Sequence, residues 1–301
     1  MKDPQTPAAP REVPDFKTEF AAVDRAADPR QFIRFLDTSA ASEASRAAKR
    51  RTFEALALPR GGSVLDVGCG TGADVLALAH LLGEGGRAVG VDASETMVAE
   101  ARRRAAAAPS PADFRVGDAH ALDFPDASFH GCRAERVFQY LEDPRRALGE
   151  MARVVRPGGR VVVLDTDWDT FLVDATDARV SRVVLGALAG SIRNGSIGRR
   201  LPALFRDAGL VEIAVVPDTL LLPRFSVVDA FLGLRRVVER LREAGVLAAG
   251  EGEAWVAEQE ERDRAGRFFC SVTSFCVSGK KPETRVRTHR ITLGSKDKSA
   301  G

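Results

Sequence analysis

Ser63-Val-Leu-Asp-Val-Gly-Cys-Gly-Thr-Gly-Ala-Asp74 is the stretch on which the reading of this chain turns. Val64, Leu65 and Val67 form a short apolar run of the kind found in a buried parallel strand. Gly68, Gly70 and Gly72 follow at alternate positions and let the backbone turn sharply and approach a ligand closely. Ala73-Asp-Val-Leu-Ala-Leu-Ala79 then has helical spacing and good helix formers. Strand, glycine turn and helix together make the first unit of a doubly wound nucleotide-binding sheet.

Charge selects among nucleotides. A dinucleotide places its pyrophosphate on the helix N-terminus, usually over Gly-x-Gly-x-x-Gly. Here the spacing is Gly-x-Gly-x-Gly, and Asp66 stands at the strand end just before the loop. A carboxylate there repels a pyrophosphate and suits a ligand with a positive end. S-adenosylmethionine (SAM) carries an ammonium, a sulfonium and one carboxylate. One Asp–ammonium pair at about 5 Å attracts by roughly 3 kcal/mol at an effective dielectric of about 20, before desolvation. The same carboxylate opposes a phosphate by a similar amount.

Asp66-Val-Gly-Cys-Gly-Thr-Gly72, the acidic Asp92 after a second strand, and Arg156-Pro-Gly-Gly159 before a later one resemble the class I SAM-dependent methyltransferases. Within that class the chain resembles the ubiquinone/menaquinone-biosynthesis-like, small-molecule enzymes over roughly residues 30 to 280. The resemblance implies an α/β fold with a doubly wound, mostly parallel seven-stranded sheet, a helical lid from the N-terminus and a C-terminal insertion. It implies SAM as cofactor, S-adenosylhomocysteine (SAH) as product, and no metal.

The cofactor residues implied are Asp66, Gly68, Cys69, Gly70, Gly72, Asp92, Ala93, Met97, Asp118, Ala119, His120 and Arg133, with Arg46 or Lys49 of the lid meeting the cofactor carboxylate. Asp92 lies twenty residues after Gly72, where an acid accepts from ribose hydroxyls. Asp118 is expected to accept from the adenine amino group, with Ala119 and His120 beside it. Met97 either packs on adenine or fills core. Many relatives have a histidine where this chain has Tyr140, its only tyrosine. Tyr140 and Glu135 are therefore the catalytic candidates, Tyr140 either orienting an acceptor or packing in the pocket wall. Asp66, Asp92, Asp118 and the pair Asp165/Asp167 put acids at four strand ends along one sheet edge. That pattern disfavours a polyphosphate ligand.

Composition narrows the partners. Apolar residues make up 45% of 301 and charged residues 29%, as in a globular protein with one large core. The net charge of +2 hides an asymmetry: from Lys280 onward there are seven basic and two acidic residues, so the rest is net negative and is not a nucleic-acid surface. The Asn/Asp-Pro-Pro-aromatic motif of nucleobase amino-methyltransferases is also missing. No apolar run approaches a membrane span. Four cysteines lack metal-like spacing and fit a reduced, cytoplasmic location.

The expected organisation is a disordered lead (1–28), a helical lid (29–60), a SAM-binding core (61–223), a helical cap insertion (224–265), a last core strand (266–280) and a disordered basic tail (281–301). The protein is expected as a monomer or homodimer acting on a small metabolite: a polyketide, a quinone precursor or a sugar-bearing natural product. The rivals are an NAD(P)-dependent oxidoreductase, and a methyltransferase fold that binds SAM but serves as a cyclase or non-catalytic partner.

Overall fold

The structure, a computed structural model, describes residues 19–40, 43–107 and 111–283. A 3-10 helix (Glu19–Arg25) opens it, followed by α1 (Arg30–Ala40) and α2 (Glu43–Leu56). The core runs β1 (Ser63–Val67), α3 (Ala73–Leu82), β2 (Arg87–Asp92), α4 (Glu95–Ala106), β3 (Ala112–Val116), β4 (Phe129–Glu135), a 3-10 turn (Phe138–Tyr140), α5 (Pro144–Val154) and β5 (Val155–Val173). Then come α6 (Ala178–Ser191), α7 (Ile197–Asp207), β6 (Val211–Leu221), α8 (Phe225–Leu232), α9 (Leu234–Glu243), α10 (Glu251–Arg264) and β7 (Cys270–Lys280). The strand order is β3-β2-β1-β4-β5-β7-β6, with only β7 reversed. This is the doubly wound, mostly parallel seven-stranded sheet that the motif implies. Among the described residues no helix is long and apolar enough to cross a membrane.

Strand alternation divides the core. Leu65, Val67, Cys132, Val161, Val163 and Val277 face α5 and α7. Val64, Val162, Leu164 and Cys276 face α2 and α3. A separate apolar cluster joins the far ends of β5 and β7 to α6, α8, α9 and α10, and this is the cap. Helix ends follow local chemistry: Ser94 caps α4 by accepting from Met97 N–H, and Asp143 caps α5 ahead of Pro144.

Three expectations change. Residues 19–25 are ordered as a 3-10 helix rather than part of a disordered lead, whereas 1–18 and the tail from 284 lie outside the described residues. Strand β5 runs to Val173, not Leu164, because its antiparallel partner β7 continues past the edge where β4 stops. Asp165 and Asp167 therefore pair with Phe275 and Thr273 inside the sheet, instead of standing free on its rim. The helical insertion expected from residue 224 is divided at Gly233, which adopts the left-handed φ of 63° that glycine tolerates and separates α8 from α9.

Candidate functional site

The glycine loop is built as its sequence requires. Gly68 (φ 72°), Gly70 (φ 52°) and Gly72 (φ 80°) all take the left-handed conformation. A Cβ on Gly68 would stand 2.2 Å from Val137 Cγ2, and one on Gly72 would meet the Phe114 ring at 2.6 Å. Gly68 thus lets the turn pass the residues after β4, and Gly72 lets α3 pack on the sheet. Gly68 and Cys69 N–H both donate to Val91 O, at 2.7 and 3.0 Å. Asp92 accepts from Gly70 N–H at 2.8 Å and from Ser94 N–H at 2.9 Å, so it ties the loop to the start of α4.

Behind the loop lies a buried charge network. Asp66 and Arg133 are register partners on adjacent strands, so their side chains emerge on one face. Arg133 is 1% exposed; its Nη1 donates to Asp66 at 3.0 Å and to Asp74 at 2.9 Å, and its Nη2 to Glu135. Its Nε has no partner, and the guanidinium lies 5.3 Å from the Phe53 ring centroid. Lys49 of α2 donates to Asp74 at 2.6 Å. Three carboxylates thus face two largely buried cations, and Glu135 pairs in addition with the half-exposed Arg136 at 3.6 Å.

The carboxyls respond differently to this crowding. Burial, with Asp74 and Glu135 nearby, outweighs Arg133 and raises Asp66 to about 7. Burial also acts on Asp74, but Arg133 and Lys49 overcome it and hold that group below the usual range. The two oppose each other because they share one guanidinium nitrogen and only Asp74 has the lysine as well. Asp165, fully buried, is likewise pushed up to about 7 by desolvation, although it accepts from Thr166 and Gln139 N–H.

A consequence is measurable. The folded chain keeps protons on Asp66 and Asp165 at pH values where unfolded carboxyls have lost them. This contribution to stability is complete below the unfolded pKa, near 4, and is lost as pH rises through 7. Unfolding between pH 5 and 6.5 is expected to release about one to two protons, and stability to fall by about 1.4 kcal/mol per pH unit for each. Calorimetry in buffers of different ionisation enthalpy reads this directly; proton uptake on unfolding in that window would refute it.

The other sequence candidates fall around this centre. Ala93 is exposed beside Asp92, while Met97 is buried against Val23 and Phe32. Asp118 is exposed and accepts from His120 N–H at 2.9 Å; His120 Nδ1 lies 2.6 Å from the same oxygen. The Nε2 of His120 accepts from Asp143 N–H, so the imidazole clips the loop after β3 to the start of α5. Ala119 is buried beside it. The thiol of Cys69 is pushed well up by burial and by Asp92, which suits packing rather than reaction.

Two candidates, Arg133 and Glu135, already have ion-pair partners within the chain. Arg133 is enclosed by carboxylates beneath the loop and serves to hold them. Glu135, two residues along the same strand face, is committed to Arg133 and is not a free base. Arg46 is exposed on α2, and Lys49, one turn on, is the lid cation that reaches the network. Tyr140 ends the 3-10 turn that follows β4. Burial, then the charge of Asp165, pushes its phenol upward, so it stays protonated.

Sequence reasoning missed the aromatic cluster over this edge. The Phe20 ring lies 6.1 Å from that of Tyr140, nearly parallel, and also touches Phe32 and Phe35. Phe35 in turn meets Phe231 of α8 at 4.5 Å, so the N-terminal segment and the cap join across the mouth. The helical spacing of Phe32, Phe35 and Leu36 was the signal available. A groove of about 380 Å³ between α9 and α10 lies away from all of this. Charges pair across it, Arg235 with Glu260 and Arg242 with Glu253.

A family model for methyltransferase domains matches residues 65–163. The chain is 39% identical over 246 residues to an uncharacterized 37.1 kDa protein in transposon TN4556 of Streptomyces fradiae, covering 81% of this chain and 70% of that one. It is 33% identical over 174 residues to demethylmenaquinone methyltransferase of Symbiobacterium thermophilum, covering 50% of this chain and 69% of the relative. Among solved structures, the YcgJ protein of Bacillus subtilis aligns with a TM-score of 0.57 at 22% identity, over 79% of this chain and 100% of that one, a likeness of fold. With the glycine cradle and the acid-rich edge already in place, these matches make the chain a member of the class I SAM-dependent, small-molecule methyltransferases.

Proposed function

We propose that this protein transfers a methyl group from SAM to an oxygen, nitrogen or carbon nucleophile of a small, partly apolar acceptor, in the manner of quinone-precursor and natural-product methyltransferases. The observation that supports the reading is a loop of three left-handed glycines set over the buried carboxyls of Asp66, Asp74 and Glu135, with Asp92 tied to its backbone. The cradle is one a Cβ would fill, and the donor set is anionic, so the residues fit a cationic nucleoside and disfavour a dinucleotide.

Asp92 and the exposed Ala93 would hold the ribose side, Asp118 and Ala119 the adenine, and the Gly68–Gly72 backbone with the Asp66 network the amino-acid end. Bound there, SAM supplies a methyl group made electrophilic by its sulfonium. The protein's share is to orient the acceptor and exclude water. The protonated Tyr140 would donate a hydrogen bond to the acceptor, beside the apolar cluster of Phe20, Phe35 and Phe231. With Glu135 tied to Arg133, the site offers no evident strong base, which favours acceptors that ionise readily, such as phenols and enols. The four cysteines are free, buried thiols, in keeping with a reducing cytoplasm.

Ligand-induced stabilisation tests the cofactor. SAM or SAH at a hundred times its dissociation constant should add about 2.7 kcal/mol, a rise of several degrees in Tm, and NADH should add nothing. Incubation with candidate acceptors should give a product heavier by one methylene. An isomerised product of unchanged mass would instead favour the cyclase alternative.

A further inference from the structure

We propose that Asp24 is a positioning residue for methyl transfer, holding Phe20 over Tyr140 so that the two rings form one wall of the acceptor site. The inference rests on the methyltransferase reading and deepens it by naming what shapes acceptor choice.

Asp24 belongs to the 3-10 helix that precedes α1, yet its carboxylate closes on the first turn of α4. It accepts from Ser94 Oγ–H at 2.7 Å, from Glu95 N–H at 2.9 Å and from Thr96 N–H at 3.2 Å. A carboxylate on a helix N-terminus satisfies backbone donors left over by the helix and sits at the positive end of its dipole. The same Ser94 gives its N–H to Asp92, and Asp92 takes the N–H of Gly70. An unbroken set of hydrogen bonds therefore runs from the glycine loop through Asp92 and Ser94 to Asp24.

Phe20, four residues before Asp24, is where that anchorage acts. Its ring packs edge-on against Phe32 at 4.7 Å and Phe35 at 5.3 Å, and presents a face to Tyr140 with the planes 20° apart. Phe35 continues the contact to Phe231 of the cap. Asp24 is the polar anchor of this segment on α4; the contacts that Val23 and Phe20 themselves make are apolar and non-directional. A wall of stacked rings beside a phenol donor selects a flat, conjugated acceptor carrying a hydroxyl, which can lie against Tyr140 and accept its hydrogen bond.

The test uses the full chain saturated with SAH and 1,4-dihydroxynaphthalene, kept anaerobic, as a flat hydroxyl-bearing probe. The wild type is expected to bind the probe. Asp24→Ala should weaken probe binding about tenfold while SAH affinity stays within about threefold. Phe20→Ala should cause the same loss, Phe20→Tyr should restore it, and the double variant should be no worse than either single one. Trypsin should cut Asp24→Ala several times faster at the exposed Arg25 and Arg30, without a change in global melting. Probe affinity unchanged in Asp24→Ala, additive losses in the double variant, or no probe binding by the wild type would each overturn the proposal. Failure to bind SAH would count against the cofactor reading instead, and the trypsin comparison without ligand would still report on the Asp24 anchorage.

Discussion

Arg133→Met is expected to lower the free energy of unfolding by about 3–5 kcal/mol, measured by denaturant titration at pH 8. The side chain replaced is almost fully buried and is the common partner of Asp66, Asp74 and Glu135. Methionine fills similar space, so the loss comes from charge rather than from a cavity. Lys49 remains, but it reaches only Asp74. Asp66 is then left in low dielectric without a paired cation, Glu135 keeps only the half-exposed Arg136, and both are driven to take up a proton. The penalty should therefore shrink as pH falls from 8 to 5. Adding Asp66→Asn to Arg133→Met should recover part of the stability by removing one of the stranded charges. A penalty under 1 kcal/mol, or one independent of pH, would show that the network is more hydrated than its burial indicates.

Gly68→Ala is expected to weaken SAH binding by at least about a hundredfold, read by isothermal titration. Alanine pays for the left-handed φ of 72°, by about 1–2 kcal/mol. Its Cβ would also lie 2.2 Å from Val137 Cγ2, a distance that forces the loop or Val137 to move. Either movement displaces N–H groups that now converge on Val91 O, or shifts the turn that carries Tyr140. Val137→Ala should rescue only part of the loss, since it removes the clash and leaves the backbone strain. Full rescue would mean that the conformation of the loop is not what sets affinity.

The parts of this site that could be read early share one property, locality. The glycine spacing, the acid at the end of β2, the Ser94 cap and the Asp143-Pro144 helix start each depend on a few consecutive residues, and each stands where it was expected. The parts that could not be read depend on partners far along the chain. Arg133 reads as a cation near the ligand until β1 and β4 pair and place Asp66 beside it, 67 residues away. Glu135 reads as a base until the same alternation turns it toward Arg133. Asp165 and Asp167 read as rim acids until β7, more than a hundred residues later, extends β5 past them.

The segment before α1 shows the limit most plainly. Its proline-rich beginning reads as disorder as far as residue 28, and nothing nearby in the chain contradicts that. Order at residues 19–25 comes from Asp24 reaching Ser94, 70 residues on, and from Phe20 meeting Tyr140.

Fold class was thus settled by short-range steric rules: glycine tolerates the left-handed turns of the loop between β1 and α3. Which charges are spent on one another, and which aromatic rings meet over the acceptor edge, was settled when distant strands came into register. Side-chain partnership is a matter of spatial proximity, and only the folded chain supplies it.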